Sequence, residues 1–431
     1  MKKRFCRGLV ASLLVAGVCA LCSLAAPFLD SELLHKNAAG AVDSIWNADT
    51  PREVVGGFES ARLDDYATVL MIKTACFSGK ATYLEKVFGG LRTEVAVRED
   101  TDSWGAFCTY TADAQEGDII QSYPRYWHGY IFPLRLLMSL MTYTNAMMLC
   151  YGAEFLLIAA CISLGTRRGI GKAMVPGFAL TLLLMMPAAM GICAEFVPCP
   201  LVALGACALL LRWGESIESR LGHGWLFAAS GIVVSYLDLL TFPVMTLAFP
   251  MTLDILLHMK DMEPRALLRR CIESTVAWGA GYAGMWALKW GLNVLAFGPE
   301  GLAGVIGQIA LRMSSKVDGG EVVGRGAALM RNIRLITGKR AFQVLLAAAA
   351  VLLGAGAVRS LRRGRGLGAP AGACCLLIPV ACAAGWMLLT TNHIHIHYYF
   401  TYRTLWCALF PLSVLLTLLT CGRGAEKPGK A

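Results

Sequence analysis

Uninterrupted apolar runs constrain this chain more than any other feature. "GLVASLLVAGVCALCSLAAPFL" (8–29), "AFQVLLAAAAVLLGAGAV" (341–358) and "TLWCALFPLSVLLTLLT" (404–420) are the plainest. Each falls in the range of ~20 residues that a helix needs to cross a hydrocarbon core of ~30 Å. A water-soluble fold cannot hide so much apolar surface. Of 431 residues 56% are hydrophobic and only 16% charged, against roughly 25% charged in an ordinary soluble domain. The expected class is an all-α polytopic membrane protein.

The net charge of +10 invites a nucleic-acid reading, but the positions of the basic residues exclude it. They sit in short clusters between the apolar runs: "MKKRFCR", "TRRGIGK", "HMKDMEPRALLRR", "RSLRRGRG" and "GRGAEKPGK". Short loops rich in Lys and Arg stay in the cytoplasm. Placing each cluster inside gives about ten spans with both termini cytoplasmic, in the cell membrane. The divisions are a first span that serves as signal anchor (1–28), a long extracytoplasmic loop with interfacial helices (29–140), spans two to seven (141–297), a basic extracytoplasmic segment (298–341), spans eight to ten (342–421) and a cytoplasmic tail (422–431). "EFVPCP" (195–200) makes the outer turn between spans three and four. The segment 298–342 breaks the charge pattern, carrying seven basic residues against three acidic ones on the outside.

Most of the sixteen cysteines fall inside apolar runs, where Cys behaves as a small hydrophobe. Cys76 and Cys108 lie in the long first loop, where an outside location permits, without requiring, a disulfide. The cytoplasmic loops are far shorter than the ~30 residues of the smallest nucleotide-binding unit. Chemistry is therefore expected at the outer face.

Four groups there carry it. In "RLDDYATVLMIKTACFSG" a helix is expected to begin at Asp64, with Asp64 as its cap and Asp65 complementing its dipole; a capping carboxylate can still face a cavity. In "SYPRYWHGY" the residues Tyr123, Tyr126, Trp127 and Tyr130 are expected to form an interfacial aromatic belt, with Tyr126 and His128 near a substrate cavity. In "LMRNIRLITGKR" Arg331 and Arg334 are three apart, on one helical face, followed by Lys339 and Arg340; they suit phosphate or anionic lipid. "NHIHIH" puts His393, His395 and His397 at alternate positions, so an extended segment presents all three on one face, as metal ligands or as a polar turn. Among ionisable residues near spans, Glu195 and Asp238 lie by outer turns and are expected to line one cavity, while Glu154, Glu273 and Lys289 sit deeper and are expected to pair internally.

The order of these segments resembles that of the GT-C glycosyltransferases, multi-span enzymes that take sugars from polyprenyl-phosphate donors. "LDDYATVLMIKTACFSGK" is similar to their acidic segment opening a helix in the first outer loop. "YPRYWHGYIFPLRLLMSLM" is similar to their Pro-Pro-Leu-Tyr-Tyr stretch, and "HIHIHYYFTYRTLWCALFPLSVLL" to their late Arg-Tyr segment, with Arg403 and Pro411 matching. A single Pro124 stands where the family often has two, and Thr404 follows Arg403 in place of an aromatic residue. The resemblance implies inverting transfer of a sugar to an envelope glycan or lipid acceptor at the outer leaflet. It gives Asp64, with Asp65 beside it, the role of base or metal ligand. Arg403, Arg331, Arg334 and Lys339 would hold the donor phosphate, and Glu195 and Asp238 the acceptor side. Some members of the family use a divalent cation (Mg or Mn); others need no cofactor.

Two other classes share the composition. A multi-span transporter or lipid flippase would line a continuous path with Glu154, Glu195, Asp238, Glu273 and Lys289, and would show repeat symmetry; no internal repeat stands out. A membrane acyltransferase would need a His or Asp on a span near an acyl-donor entry.

Overall fold

The computed structural model describes residues 2–48, 52–97, 102–112, 115–302, 305–316, 321–363 and 367–421; the tail 422–431 lies outside them. The chain is helical nearly throughout. Helix α1 (Lys2–Ala25) leads into a cap built from α2 (Glu32–Trp46), α3 (Asp65–Ala75), α4 (Tyr83–Phe88), α5 (Ser103–Phe107) and α6 (Ile131–Met138). Inside the cap, strand β1 (Arg92–Glu94) pairs antiparallel with β2 (Ile119–Gln121), Thr93 opposite Ile120. The bundle continues with α7 (Tyr143–Arg167), α8 (Gly171–Met185), α9 (Pro187–Ile192), α10 (Pro198–Leu221), α11 (Gly224–Leu237), α12 (Met245–His258) and α13 (Pro264–Phe297). Then come α14 (Val305–Met313), α15 (Arg325–Thr337), α16 (Arg340–Arg362), α17 (Leu377–Leu389), α18 (Thr391–Ile396), α19 (Tyr398–Thr401) and α20 (Trp406–Cys421).

Six helical segments among the described residues are long and apolar enough to cross a membrane: Lys3–Phe28, Tyr143–Arg167, Pro198–Leu221, Arg340–Arg362, Ala371–Leu389 and Tyr398–Thr420. Helices α8, α11 and α12 are apolar but shorter. The long apolar helices leave large hydrophobic side chains uncovered, Leu13 and Leu14 on α1, Leu156 on α7, Val351 and Leu352 on α16. Such an apolar girdle is unfavourable in water and favourable in lipid.

Two sequence details shape the bundle. The first is "MMP": Pro187 has no N–H to continue α8, and a residue before proline is driven out of the right-handed helical region. Met186 adopts φ 54°, ψ 67°, and the helix breaks into α8 and α9. The second is the glycine pair Gly231 and Gly281. A Cβ on Gly231 would stand 2.3 Å from the Trp278 carbonyl oxygen, and one on Gly281 2.3 Å from that of Ala228. Helices α11 and α13 therefore meet backbone to backbone, as small residues allow in apolar bundles.

Helix α13 has 34 residues, roughly 50 Å at the usual rise. Its upper turns reach the cap and fasten it. Met285 O accepts from Trp127 Nε1 at 2.7 Å, Lys289 Nζ donates to Phe88 O at 2.7 Å, and Asn293 Nδ2 donates to Pro124 O at 2.8 Å. The expected aromatic belt is thus not at a lipid interface. Tyr126, Trp127 and Tyr130 are buried where the cap meets the bundle, because their rings fill the joint that these hydrogen bonds close. Cys76 and Cys108 are free, buried thiols in the cap's own core, with Leu34, Val69 and Leu134.

Candidate functional site

The segment before α3 sets its first acid in place. Residues 52–63 fold back on themselves, with Leu63 N donating to Arg52 O at 2.9 Å and Val54 N to Ala61 O at 3.0 Å. Asp65 locks this turn through Arg52, whose Nε donates to its Oδ1 at 2.6 Å. Asp64 caps α3, Oδ1 accepting from Ala67 N at 2.8 Å, and its Oδ2 accepts from the Tyr399 hydroxyl. The two aspartates thus diverge: Asp65 holds the loop, and Asp64 faces the far end of the polypeptide.

Three other elements bring polar groups to the same place. The turn 193–197 ends α9 and leads into Pro198; Phe196 N and Val197 N both donate to Cys193 O, which turns Glu195 inward, where it is buried. The turn packs on α3, with Cys193 Sγ 3.8 Å from Thr68 Oγ1, which brings Glu195 close enough to Asp64 for the two carboxyls to act on each other; Glu195 Oε2 has no partner. Burial first, then the negative charges of Asp64 and Asp238, hold its carboxyl well above the usual range, with Arg403 pulling the other way. Asp238 follows α11 in a tight turn, accepting from Thr241 N at 2.9 Å and from the Cys199 thiol at 3.4 Å. Burial pushes it up to about 6, against the hydrogen bonds from Thr241. Arg403 is wholly buried; its Nε donates to Met185 O at 3.1 Å and its Nη2 to Ser60 O at 3.0 Å. Nη1 has no partner. The carbonyl freed by the α8–α9 break is one of those it binds.

A cavity of about 280 Å³ opens beside this cluster. Trp286 and Trp290 of α13, Tyr126, Ile309 of α14 and the arginines Arg125 and Arg312 line it. Leu240, in the same turn as Asp238, lines it too, so the turn borders both cluster and cavity. Arg125 Nη2 donates to the Tyr123 hydroxyl at 2.7 Å, and Arg312 Nη1 to Asn392 Oδ1 at 3.4 Å. Neither meets a carboxylate among the described residues. An apolar aromatic slot with two uncompensated guanidinium groups suits an amphiphilic anion.

The other sequence candidates are placed differently. Arg331 packs over the Tyr398 ring at 3.6 Å and donates to His395 O at 3.1 Å, while Arg334 is exposed; they do not act as one clamp. Lys339 lies over the Phe58 ring at 5.8 Å. Arg403 is too enclosed by backbone carbonyls to meet a headgroup. His128 is buried; its Nδ1 is 3.0 Å from the Tyr130 hydroxyl and its Nε2 2.6 Å from Tyr123 O, and burial pushes it down to about 3. It braces the cap instead of lining a cavity.

The histidine segment forms the short helix α18, with His397 just past its end, so the three rings do not share the one face that an extended segment would give them. At helical spacing the His393 and His397 rings meet at a tilt of 50° with centres 4.8 Å apart, while His395 turns towards Arg331. His393 Nε2 is 2.6 Å from Leu240 O. Among the described residues no three His, Cys, Asp or Glu side chains gather as a metal site, and this donor set does not fit a divalent ion. Of the deeper charges, Glu273 pairs with Arg269 at 2.7 Å and with His223 at 3.3 Å. Lys289 caps the Phe88 carbonyl, whereas Glu154 is buried with both oxygens unpartnered.

Sequence reasoning missed Arg125, Arg312, Tyr399 and Arg62. Arg62 lies 4.7 Å over the Tyr399 ring, with Nε unpartnered. Isolated arginines in loops carry no pattern that would mark them. No family model, curated protein or solved structure matches this chain, and its functional reading rests on this geometry.

Proposed function

We propose that the chain is an integral membrane glycosyltransferase of the GT-C type. It has ten spans with both termini cytoplasmic, and moves a sugar with inversion from a polyprenyl-phosphate donor to an envelope acceptor at the outer leaflet. The observation that carries this reading is a buried acid cluster, Asp64, Glu195 and Asp238, whose Asp238 turn also lines, through Leu240, an aromatic slot bearing Arg125 and Arg312. The prenyl chain lies along Trp286 and Trp290, and the two guanidinium groups hold the phosphate as it leaves with the electron pair of the broken glycosidic bond. Arg62, beside Tyr399, adds positive charge near the base. Asp64 takes the proton of the acceptor hydroxyl; Tyr399 and the Ala67 amide fix its direction. Arg403 fixes the floor of the site by holding the Met185 and Ser60 carbonyls.

A transporter or lipid flippase is the second reading. It draws support from the broken helix α8–α9 and from Glu154, a buried acid with both oxygens unpartnered, features that mark substrate paths in membrane carriers.

Native mass spectrometry of the delipidated chain with added polyprenyl phosphate tests the donor site. The double variant Arg125→Ala/Arg312→Ala should weaken retention about tenfold or more, since charge-assisted hydrogen bonds are each worth about 1.5–3 kcal/mol. Equal retention by wild type and double variant would remove the slot from the mechanism. Lipid translocation in proteoliposomes without any sugar transfer would favour the carrier.

A further inference from the structure

Buried acid outnumbers buried base at the cluster. Asp64, Glu195 and Asp238 are each less than a tenth exposed. The enclosed cation Arg403 directs two of its nitrogens at backbone carbonyls. Asp238 is satisfied within its own turn by Thr241 and Cys199. Asp64 accepts at both oxygens, from the Ala67 amide, which can only donate, and from the Tyr399 hydroxyl. Glu195 differs: its turn packs on α3 beside Asp64 through Cys193 and Thr68, and its buried Oε2 meets no donor.

Two ionised carboxylates in hydrogen-bond contact, away from water, repel strongly; one proton between them converts the contact into a charge-assisted bond. Donors surround Asp64 and not Glu195, so the anion belongs on Asp64 and the proton on Glu195. We propose that Asp64 and Glu195 form a pair sharing a single proton held by Glu195, which makes Glu195 the positioning residue that keeps Asp64 aimed as the base. The catalytic half of this inference rests on the transferase reading; the shared proton does not.

The groups facing Glu195 come from several elements: Cys193 on its own turn, Asp64 at the head of α3, Tyr130 before α6, Asp238 after α11, Tyr399 in α19 and Arg403 at the entry to α20. In each turnover the acceptor O–H bond breaks as its oxygen bonds the sugar, and the proton goes to Asp64. The donor's sugar–oxygen bond breaks and its electron pair leaves on the phosphate. The pair then carries two protons and returns one to solvent.

Infrared titration of the full chain in lipid nanodiscs reads the proton directly. At neutral pH the wild type and Asp238→Asn should both show a protonated-carboxyl band of which Glu195→Gln lacks a part, the part due to the buried Glu154 remaining in all three; persistence of the whole band in Glu195→Gln overturns the proposal. In the transfer reaction, Glu195→Ala should lower kcat by about 100-fold, the scale of general-base catalysis, with little change in KM. Glu195→Gln, which offers an N–H where the acid had its O–H, should regain most of that loss and no longer show the fall in kcat at alkaline pH. A Glu195→Gln profile that superimposes on wild type also overturns it. A wild type with the band and no transferase activity upholds the shared proton and refutes the transferase reading instead.

Discussion

Two adjacent aspartates carry different duties, and single substitutions separate them. Asp65 binds the half-exposed Arg52, so Asp65→Asn should cost about 1 kcal/mol, a modest value because the pair is partly screened by solvent. Thermal unfolding in detergent measures it, and an unchanged midpoint would contradict the locking role. Glu195 makes a prediction in pH. Its folded carboxyl titrates well above the usual range, chiefly through burial, so its contribution is complete below the unfolded value of about 4.3. As pH rises towards the folded value, that contribution shrinks by about 1.4 kcal/mol per unit. The stability of wild type relative to Glu195→Gln should therefore fall as pH rises across this window; a rise contradicts the assignment. At this scale the sequence told part of the story. Asp64, Glu195 and Asp238 were legible because acids beside apolar runs are costly and conspicuous. Tyr399, Arg62, Arg125 and Arg312 were not, because what joins them is contact between segments hundreds of residues apart.

Helices were more legible than sites. Apolar runs punctuated by basic clusters marked the bundle's helices, and Pro187 marked a break only in retrospect, since proline is tolerated in membrane helices. The histidine run did not specify its own conformation: alternation aligns the rings only in an extended segment, whereas this one sits between two helices, and α18 lets Asn332 Nδ2 donate to Ile394 O at 2.8 Å. The α11–α13 contact offers the sharpest test of packing. Gly231→Leu would drive a side chain into the Trp278 carbonyl 2.3 Å from its Cβ. It should destabilise the bundle by about 3 kcal/mol, the upper range of overpacking, and loosen the cap, which α13 fastens through Lys289 and Asn293. Unchanged unfolding and unchanged protease resistance of residues 29–140 would contradict that coupling.

At the scale of the whole molecule, described residues of the segments 29–142, 298–339 and 390–405 meet: Asn332 Nδ2 donates to Ile394 O at 2.8 Å, and the Tyr399 hydroxyl donates to Asp64. Within the basic segment 298–342, Arg312 lines the aromatic slot, and Arg331 packs on Tyr398. The proposed orientation predicts that a cysteine at Asn47 reacts with an impermeant maleimide in intact cells, while one at Arg168 reacts only after permeabilisation; the reverse pattern would invert the topology. The most direct measurement is sugar transfer from a labelled polyprenyl-phosphate donor in membranes that contain either the wild type or Asp64→Asn at equal abundance. The account predicts transfer by the wild type and a loss of about 100-fold or more in the variant, with donor lipid still bound. Undiminished transfer by Asp64→Asn would contradict it.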